Sequence, residues 1–116
     1  MRHHNANRKF GRVAKGRKAL LNSLARSLVI HEKIKTTEMK AKELRPYIER
    51  VITRGKADTI AAKRFLFAEF GKTPTANKII LKLSPKYKDR TGGYTRIIKT
   101  GSRKSDNTKM AVIEFV

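Results

Sequence analysis

The sequence predicts an α+β domain, because a helical period of apolar residues gives way to an alternating period near the C-terminus. Leu20, Leu24 and Leu28 recur every four residues, as on one face of a helix. The last segment, Met110 to Val116, alternates as a strand does. A chain of 116 residues with 39% hydrophobic residues is long enough for one independently folded domain.

Two helices are predicted in the first half of the chain. The first begins at Lys18 and is followed by a short extended piece over residues 33–36. Thr37 is a suitable N-cap for the second helix, which we expect to end at Gly55. Pro46 lies inside this helix and predicts a kink there or an earlier end. The apolar side of the second helix consists of Ala41, Leu44, Ile48, Val51 and Ile52.

A third helix is predicted to run from an N-cap at Asp58 through Phe70, with Gly71 as its stop. Its apolar stripe is predicted at Ala61, Phe65 and Ala68, widened by Ile60, Ala62 and Leu66.

A fourth helix is predicted after Pro74, with Thr75 as its cap and Pro85 at its end. The apolar positions of this helix are Ala76, Ile79, Ile80 and Leu83.

The period-two pattern predicts strands from Tyr94 to Thr100 and from Met110 to Val116. The last strand has apolar residues on both faces, which predicts a central position in the sheet. A basic hairpin loop, residues 101–107, joins the two strands.

The charge of the chain points to a polyanionic partner. The sequence has 29 Lys and Arg against 9 Asp and Glu, a formal net charge of +20. Residues 1–31 contain no acidic residue, and Met1 to Lys18 also lack a hydrophobic pattern. Such a segment is expected to be disordered alone and to bind phosphates, with counter-ion release as the driving force. We therefore divide the chain into a basic arm, residues 1–17, and a domain, residues 18–116.

A second basic region lies between Lys82 and Lys109, where nine Lys and Arg accompany only two acidic residues. The Gly92-Gly93 pair permits close approach of a ligand to the backbone. Tyr94, beside Arg90 and Arg96, offers a ring for stacking with an unpaired base. The alternative interpretation of Tyr94 is an ordinary core aromatic.

The sequence carries no motif for catalysis, metal binding or a cofactor. It has no cysteine, which excludes a disulfide framework and a thiolate metal site. The segment GRVAKGRK has Arg17 and Lys18 where a phosphate-binding loop needs Lys and Ser or Thr. His31-Glu32 begins like a zinc-protease helix, but Lys35 occupies the second histidine position. No apolar stretch is long enough to span a membrane.

Short motifs in a fixed order cover the whole chain and resemble the bacterial large-subunit ribosomal protein 17 family. These motifs are Met1-Arg2-His3, Gly11-Arg12, Arg17-Lys18-Ala19-Leu20, Ser27-Leu28-Val29, His31-Glu32-Lys33-Ile34-Lys35-Thr36-Thr37, Lys40-Ala41-Lys42-Glu43-Leu44-Arg45, Gly92-Gly93-Tyr94-Thr95-Arg96-Ile97, Asp106-Asn107, Met110-Ala111 and Ile113-Glu114.

The resemblance implies a two-layer domain in which about four helices pack on a small three-stranded mixed sheet. It also implies a basic N-terminal arm that threads into large-subunit rRNA, and a structural role without catalysis. The implied position is near the polypeptide exit tunnel, as a monomer beside large-subunit ribosomal protein 32. The implied location is the cytoplasmic large subunit.

The residues and the resemblance together predict a set of RNA contacts along the arm, the first helix and the sheet. The set comprises Arg2, His3, Arg8, Lys9, Arg12, Lys15, Arg17, Lys18, Arg26, Lys35, Arg90, Tyr94, Arg96, Lys99, Arg103 and Lys104.

Three other interpretations use some of the same features. A nucleoid DNA-binding protein has similar charge, but the chain lacks a recognisable helix-turn-helix or minor-groove wedge. An RNA-processing enzyme needs an acid/base or metal constellation, and the spacing of the carboxylates shows none. An organellar transit peptide is Arg-rich and acid-free, but it needs a longer apolar helical stripe than Phe10, Val13 and Ala14 provide.

Overall fold

The computed structural model describes residue 8 and residues 10–57, 59–71 and 73–116. In these residues the helical segments form four stretches, as predicted, because α4, a π-helical segment and α5 follow one another without a break. The elements are α1 (Ala14–His31), β1 (Lys33–Thr37), α2 (Glu38–Gly55), α3 (Ile60–Phe70), α4 (Pro74–Lys78), the π-helical segment (Ile79–Leu83), α5 (Ser84–Lys86), β2 (Thr95–Ser102) and β3 (Lys109–Phe115).

The three strands form one sheet in the order β1-β3-β2. The predicted central position of β3 is therefore confirmed. Both strand pairs are antiparallel, so the expectation of a mixed sheet was wrong. β1 and β2 run in the same direction, but β3 lies between them and opposes both. The β2 strand is irregular between Lys99 and Gly101, where its register with β3 shifts.

Helix α1 begins at Ala14, before the predicted start at Lys18. Its N-cap, Val13, makes no side-chain capping bond, and the first turn closes through the bond from Arg17 N–H to Val13 O at 3.0 Å. The end of the predicted arm therefore continues into α1. At the other end Glu32 adopts a left-handed conformation with φ 64° and turns the chain into β1.

Helix α2 begins as predicted, with Thr37 Oγ1 accepting the Lys40 N–H at 3.3 Å. It continues through Pro46 to Gly55, so the helix does not end early. Burial of its apolar side offsets the hydrogen bond that Pro46 cannot make. That side is buried as predicted: Ala41, Leu44, Ile48, Val51 and Ile52.

The start of α3 is capped by Thr59, whose Oγ1 accepts the Ala62 N–H at 3.1 Å. The predicted cap Asp58 lies outside the described residues. Gly71 ends α3 with φ 68°, a conformation that glycine adopts easily, as predicted.

The predicted apolar stripe of α3 was correct only in part, because Phe65 packs partly buried against the core but Ala61 and Ala68 do not. Ala62, Leu66 and Phe70 are buried, whereas Ala61 and Ala68 are exposed. The helix is apolar almost all round (IAAKRFLFAEF), so its sequence does not single out one face. Tertiary packing selects the face that is buried.

The fourth helical stretch begins at Pro74 after an N-cap at Thr73, so the predicted cap at Thr75 was wrong. Pro85 does not end it either, because the helix continues to Lys86. The π-helical segment accounts for this difference. Ser84 N–H bonds to Ile79 O, five residues earlier, and Pro85 directly follows this π-helical turn, where the ordinary four-residue hydrogen-bond pattern is already interrupted.

The hydrophobic core lies between the helices and the inner face of the sheet. Ala111 and Ile113 of β3 are fully buried and face α2. Tyr87 and Tyr94 close the core beside β2, with ring centroids 5.0 Å apart. Among the described residues no helix is long and apolar enough to cross a membrane.

Gly55 permits α2 to approach the fourth helical stretch closely. A Cβ at this position would lie 2.9 Å from Ser84 Oγ and 3.4 Å from both Ile79 Cγ2 and Leu66 Cδ1. We therefore expect Gly55→Val to lower the free energy of unfolding by about 1–3 kcal/mol through overpacking. Denaturant unfolding followed by circular dichroism measures the change.

The matched control is Gly16→Val. A Cβ at Gly16 meets only the Arg12 side chain, at 3.6 Å or more. Its effect should stay within about 0.5 kcal/mol. Equal effects of the two variants would contradict the close-packing role of Gly55.

Candidate nucleic-acid interface

A basic surface surrounds the start of α1, and we call it the α1 surface. It contains a groove of about 370 Å³ between α1 and α2 and a shallow depression along α1, and both are lined by Lys18. The charged residues that line the two are Arg8, Lys15, Arg17, Lys18, Arg26, Glu43 and Arg50. The structure thus brings five of the predicted contacts together.

The arginines of the arm that the structure describes bind back to the domain or to nearby backbone. Arg8 Nη1 forms an ion pair with Glu43 Oε2 at 3.0 Å. Arg12 donates to Phe10 O at 3.1 Å, and Arg17 donates to Arg12 O at 3.0 Å. The ion pair ties residue 8 to α2. The predicted contacts Arg2, His3 and Lys9 lie outside the described residues.

Arg26 has a structural partner on another helix. Its Nε donates to Asn22 Oδ1 at 2.8 Å, and its Nη2 donates to Phe70 O at 3.2 Å. Asn22 itself donates to Glu69 O at 2.7 Å. Arg26 therefore joins α1 to the carboxyl end of α3. The last carbonyl groups of a helix have no hydrogen-bond partner within it, and a cationic side chain can bind them. The Arg26 side chain is half-buried, and its accessible part lines the depression along α1.

Tyr47 contributes a neutral hydroxyl to the groove. It donates to Glu69 Oε2 at 2.9 Å. Burial of the ring, together with this bond and the charge of Glu69, raises the pKa of Tyr47 to about 12. The hydroxyl therefore stays protonated at neutral pH.

A second group of cations lies on the outer face of the sheet, opposite the core. Lys35 and Ile98 flank Val112 across the sheet, and Arg96 is paired with Glu114. Arg96 Nε donates to Glu114 Oε1 at 2.8 Å, and the Arg96 side chain remains 61% exposed. The outer face thus presents Lys35 and a partly neutralised Arg96.

The β2–β3 hairpin carries Lys99, Arg103 and Lys104, all exposed. Lys99 Nζ lies 3.6 Å from Glu38 Oε1. Arg103 holds Asp106 by two bonds, of 3.0 Å from Nε and 2.6 Å from Nη2. The hydrogen bond from Arg103, then those from Thr108, hold the pKa of Asp106 far below its ordinary value. The hairpin tip is therefore ordered by an ion pair.

The prediction that Tyr94 stacks with a base is not supported by its placement, because its side chain is fully buried in the core. Its hydroxyl donates to Arg90 O and accepts from Lys56 Nζ at 2.9 Å, with Thr53 Oγ1 3.2 Å away. Burial raises the pKa of Tyr94, but the bonds from Lys56 and Thr53 outweigh it and lower the pKa. The core alternative for Tyr94 is correct.

Arg90 closes the loop before β2. Its Nη1 donates to Gly93 O at 3.2 Å, and its own carbonyl accepts from Lys56 Nζ. The Arg90 side chain is nevertheless exposed beside this loop.

Two cations that sequence reasoning missed complete these surfaces. Arg50 lines the groove of the α1 surface. Lys33 lies on the outer sheet face, across Glu114 from Arg96. Arg50 lies in no quoted motif, and the motif that contains Lys33 does not mark it as a contact. The alternation of Lys33 and Lys35 along an extended segment could have placed both on one face.

The described residues contain no group of three or more His, Asp or Glu side chains that could hold a metal ion. The charged surfaces are cationic and lie on an α+β scaffold of helices over one sheet.

Known proteins of similar sequence define the class of this chain. It is 50% identical to the protein named "Large ribosomal subunit protein bL17" from Ehrlichia canis, over all of this chain and 91% of that one. It is 47% identical to the protein of the same name from Wolinella succinogenes over the full length of both. The same-named Campylobacter jejuni protein is 50% identical over all of this chain and 99% of its own. The chain is a ribosomal protein of the large subunit.

The family model described as Ribosomal protein L17 matches residues 20–116, and the chain belongs to that family. The resemblance identified from the motifs is thereby confirmed. The relatives are ribosomal proteins and not enzymes, in agreement with the sequence prediction.

The ion pair at the hairpin tip predicts a specific titration. Replacing Arg103 with Gln should raise the pKa of Asp106 toward the ordinary value of 3.8, because its strongest hydrogen-bond donor is removed. Since the folded pKa is depressed, the stabilisation is present above about pH 3.8 and is lost as the pH falls through the folded pKa. Carboxyl ¹³C NMR measures the titration.

Lys104→Gln is the matched control, with the same loss of charge on the neighbouring residue. In this variant the Asp106 pKa should stay far below its ordinary value. A rise of equal size in both variants would show that general charge, and not the Arg103 contact, depresses the pKa.

Proposed function

We propose that this protein binds and stabilises large-subunit rRNA as a structural constituent of the ribosome. The observation that carries the proposal is the distribution of its charge. Many of the excess cations lie on separate surfaces, such as the α1 surface and the sheet with its hairpin, and not on one groove-reading helix. Separate basic surfaces suit a large folded RNA whose segments approach one protein from several sides.

The arrangement divides the cations into two groups with different roles. One group, including Arg8, Arg96 and Arg103, is paired with carboxylates that fix the side chains in place. The other group, including Lys15 and Lys18, has no ion pair among the described residues and remains exposed. We propose that the second group makes the main phosphate contacts and that the first orders the segments beside them.

The proposal extends to the basic arm. Arg8 and the start of α1 lie at the groove. We expect Arg2 and His3, which precede Arg8 in the sequence, to contact rRNA as well. Neutralisation of phosphates by the arm would let rRNA helices approach one another, with the domain setting where the arm enters.

Large-subunit ribosomal protein 32 is proposed as a neighbour, in a cytoplasmic large subunit near the exit tunnel. This part rests on the family resemblance. The outer sheet face, where Ile98 is 46% exposed, is an available surface for a neighbouring molecule.

Binding to purified large-subunit rRNA should depend steeply on salt. If about eight phosphates are engaged, the slope of log affinity against log salt is roughly −6 to −7. The double variant Lys15→Gln/Lys18→Gln should reduce the magnitude of the slope by about 1.4–1.8. Filter binding at several salt concentrations gives both slopes.

The matched control is Lys42→Gln/Lys82→Gln, which removes two cations already paired with Glu38 and Glu32. Its slope should change by less than about 0.5, because these charges are already partly neutralised. A wild-type slope near −1, or tighter binding to generic duplex DNA than to rRNA, would overturn the proposal.

Gradient sedimentation of cell lysate tests assembly. The chain should migrate in stoichiometric amounts with large subunits and resist a moderate-salt wash. Cross-linking of the same fractions should join it to rRNA and to ribosomal protein 32. A chain that stays at the top of the gradient, or follows DNA, would contradict the ribosomal role. Cross-links to other ribosomal proteins alone would reject only the proposed neighbour.

A further inference from the structure

A cavity of about 240 Å³ opens where α2, α3 and the fourth helical stretch meet, away from the α1 surface. Its apolar wall is formed by Ala62, Leu66, Ile80 and Pro85. Gly55 and Ser84 line it as well, and a Cβ at Gly55 would lie 2.9 Å from Ser84 Oγ.

The wall of the cavity contains a hydroxyl without a partner. Ser84 Oγ is buried and has no hydrogen-bond partner among the described residues. An unsatisfied buried polar group costs free energy, so a retained one needs an explanation. A polar group entering the cavity would supply the missing bond.

Three lysines, Lys56, Lys63 and Lys88, also line the cavity, and no carboxylate is among its lining residues. Lys63 and Lys88 are exposed and have no ion pair among the described residues. Lys56 Nζ is already bound to Tyr94 OH and to Arg90 O. Two ammonium groups therefore remain available for an anion at the edge of an apolar cavity.

We propose that this cavity takes one unpaired nucleotide of the rRNA, with the base against the apolar wall and its phosphate near Lys63 and Lys88. The base edge would meet the Ser84 hydroxyl. The inference rests on the proposed function and adds a base-binding site to the phosphate contacts described above. Proteins commonly recognise folded RNA through unpaired bases that are turned out of the RNA and hydrogen-bonded on their edges. Here the wall against the base would be aliphatic and not aromatic.

The charges favour a nucleotide over an apolar side chain from another protein. An apolar side chain would fit the wall, but it would leave Ser84 Oγ unpaired and gain nothing from the lysines. A nucleotide would fit the apolar wall with its flat base, Ser84 Oγ with a polar base edge, and the two lysines with its phosphate.

Ser84→Ala separates a binding role from a structural role. Removal of an unpaired buried hydroxyl should leave the thermal midpoint unchanged or raise it, because no bond is lost in the free protein. Affinity for purified large-subunit rRNA should nevertheless fall about 3- to 10-fold, the value of one hydrogen bond. Unchanged affinity would overturn the role of Ser84.

Lys63→Gln/Lys88→Gln tests the phosphate contacts. We expect the affinity of the full chain for the same rRNA to fall at least about 10-fold. The matched control, Arg64→Gln/Lys86→Gln, removes two exposed cations at neighbouring positions that do not line the cavity. The affinity of this control for the rRNA should fall less than about 3-fold, as expected from the loss of general electrostatic attraction.

Chemical probing of bases in the rRNA complex locates the site. The wild type and the Arg64/Lys86 control should protect the same single base, and the Lys63/Lys88 and Ser84 variants should leave it reactive. Equal losses in both double variants with no change in base protection would overturn the cavity while leaving rRNA binding intact. Failure of the wild type to bind rRNA would instead reject the proposed function.

Discussion

The packing of α2 against the central strand β3 is the interaction on which the rest of the structure depends. Ile48 of α2 and Ile113 of β3 are fully buried in one core, and α2 also contacts α1, α3, the π-helical segment and both edge strands. Every basic surface is therefore positioned relative to α2. Loss of this contact would separate the α1 surface from the sheet as well as expose the core.

The few carboxylates of the chain control where its excess charge is tolerated. Glu32, Glu38, Glu43, Asp106 and Glu114 each hold an ion pair with a cation from the same or another segment. Two of these pairs, Lys82–Glu32 and Arg103–Asp106, are exposed on both sides, and exposed pairs add little to stability individually. The effect of the ion pairs here is to order the β1 start, the hairpin and residue 8. The proposed binding of phosphates by the remaining cations would relieve the strong self-repulsion of the chain.

The candidate site could be predicted in part from the sequence. Composition and motif order were sufficient for the family, since family membership does not depend on how the chain folds. They did not distinguish a free cation from one used internally. Arg26 binds the carbonyl end of α3, and Tyr94 lies in the core. Arg50 joins the groove only because α1 and α2 pack side by side.

The sequence by itself determined the elements with a strong periodic pattern: the buried side of α2, the Thr37 cap and the central position of β3. Local spacing decides these features, because one face differs clearly from the other. Only the tertiary structure decided which face of the nearly uniform α3 is buried, and how the π-helical segment lets the helix pass Pro85. It also decided the all-antiparallel sheet. These outcomes depend on partners distant in the chain, whose positions no local pattern records.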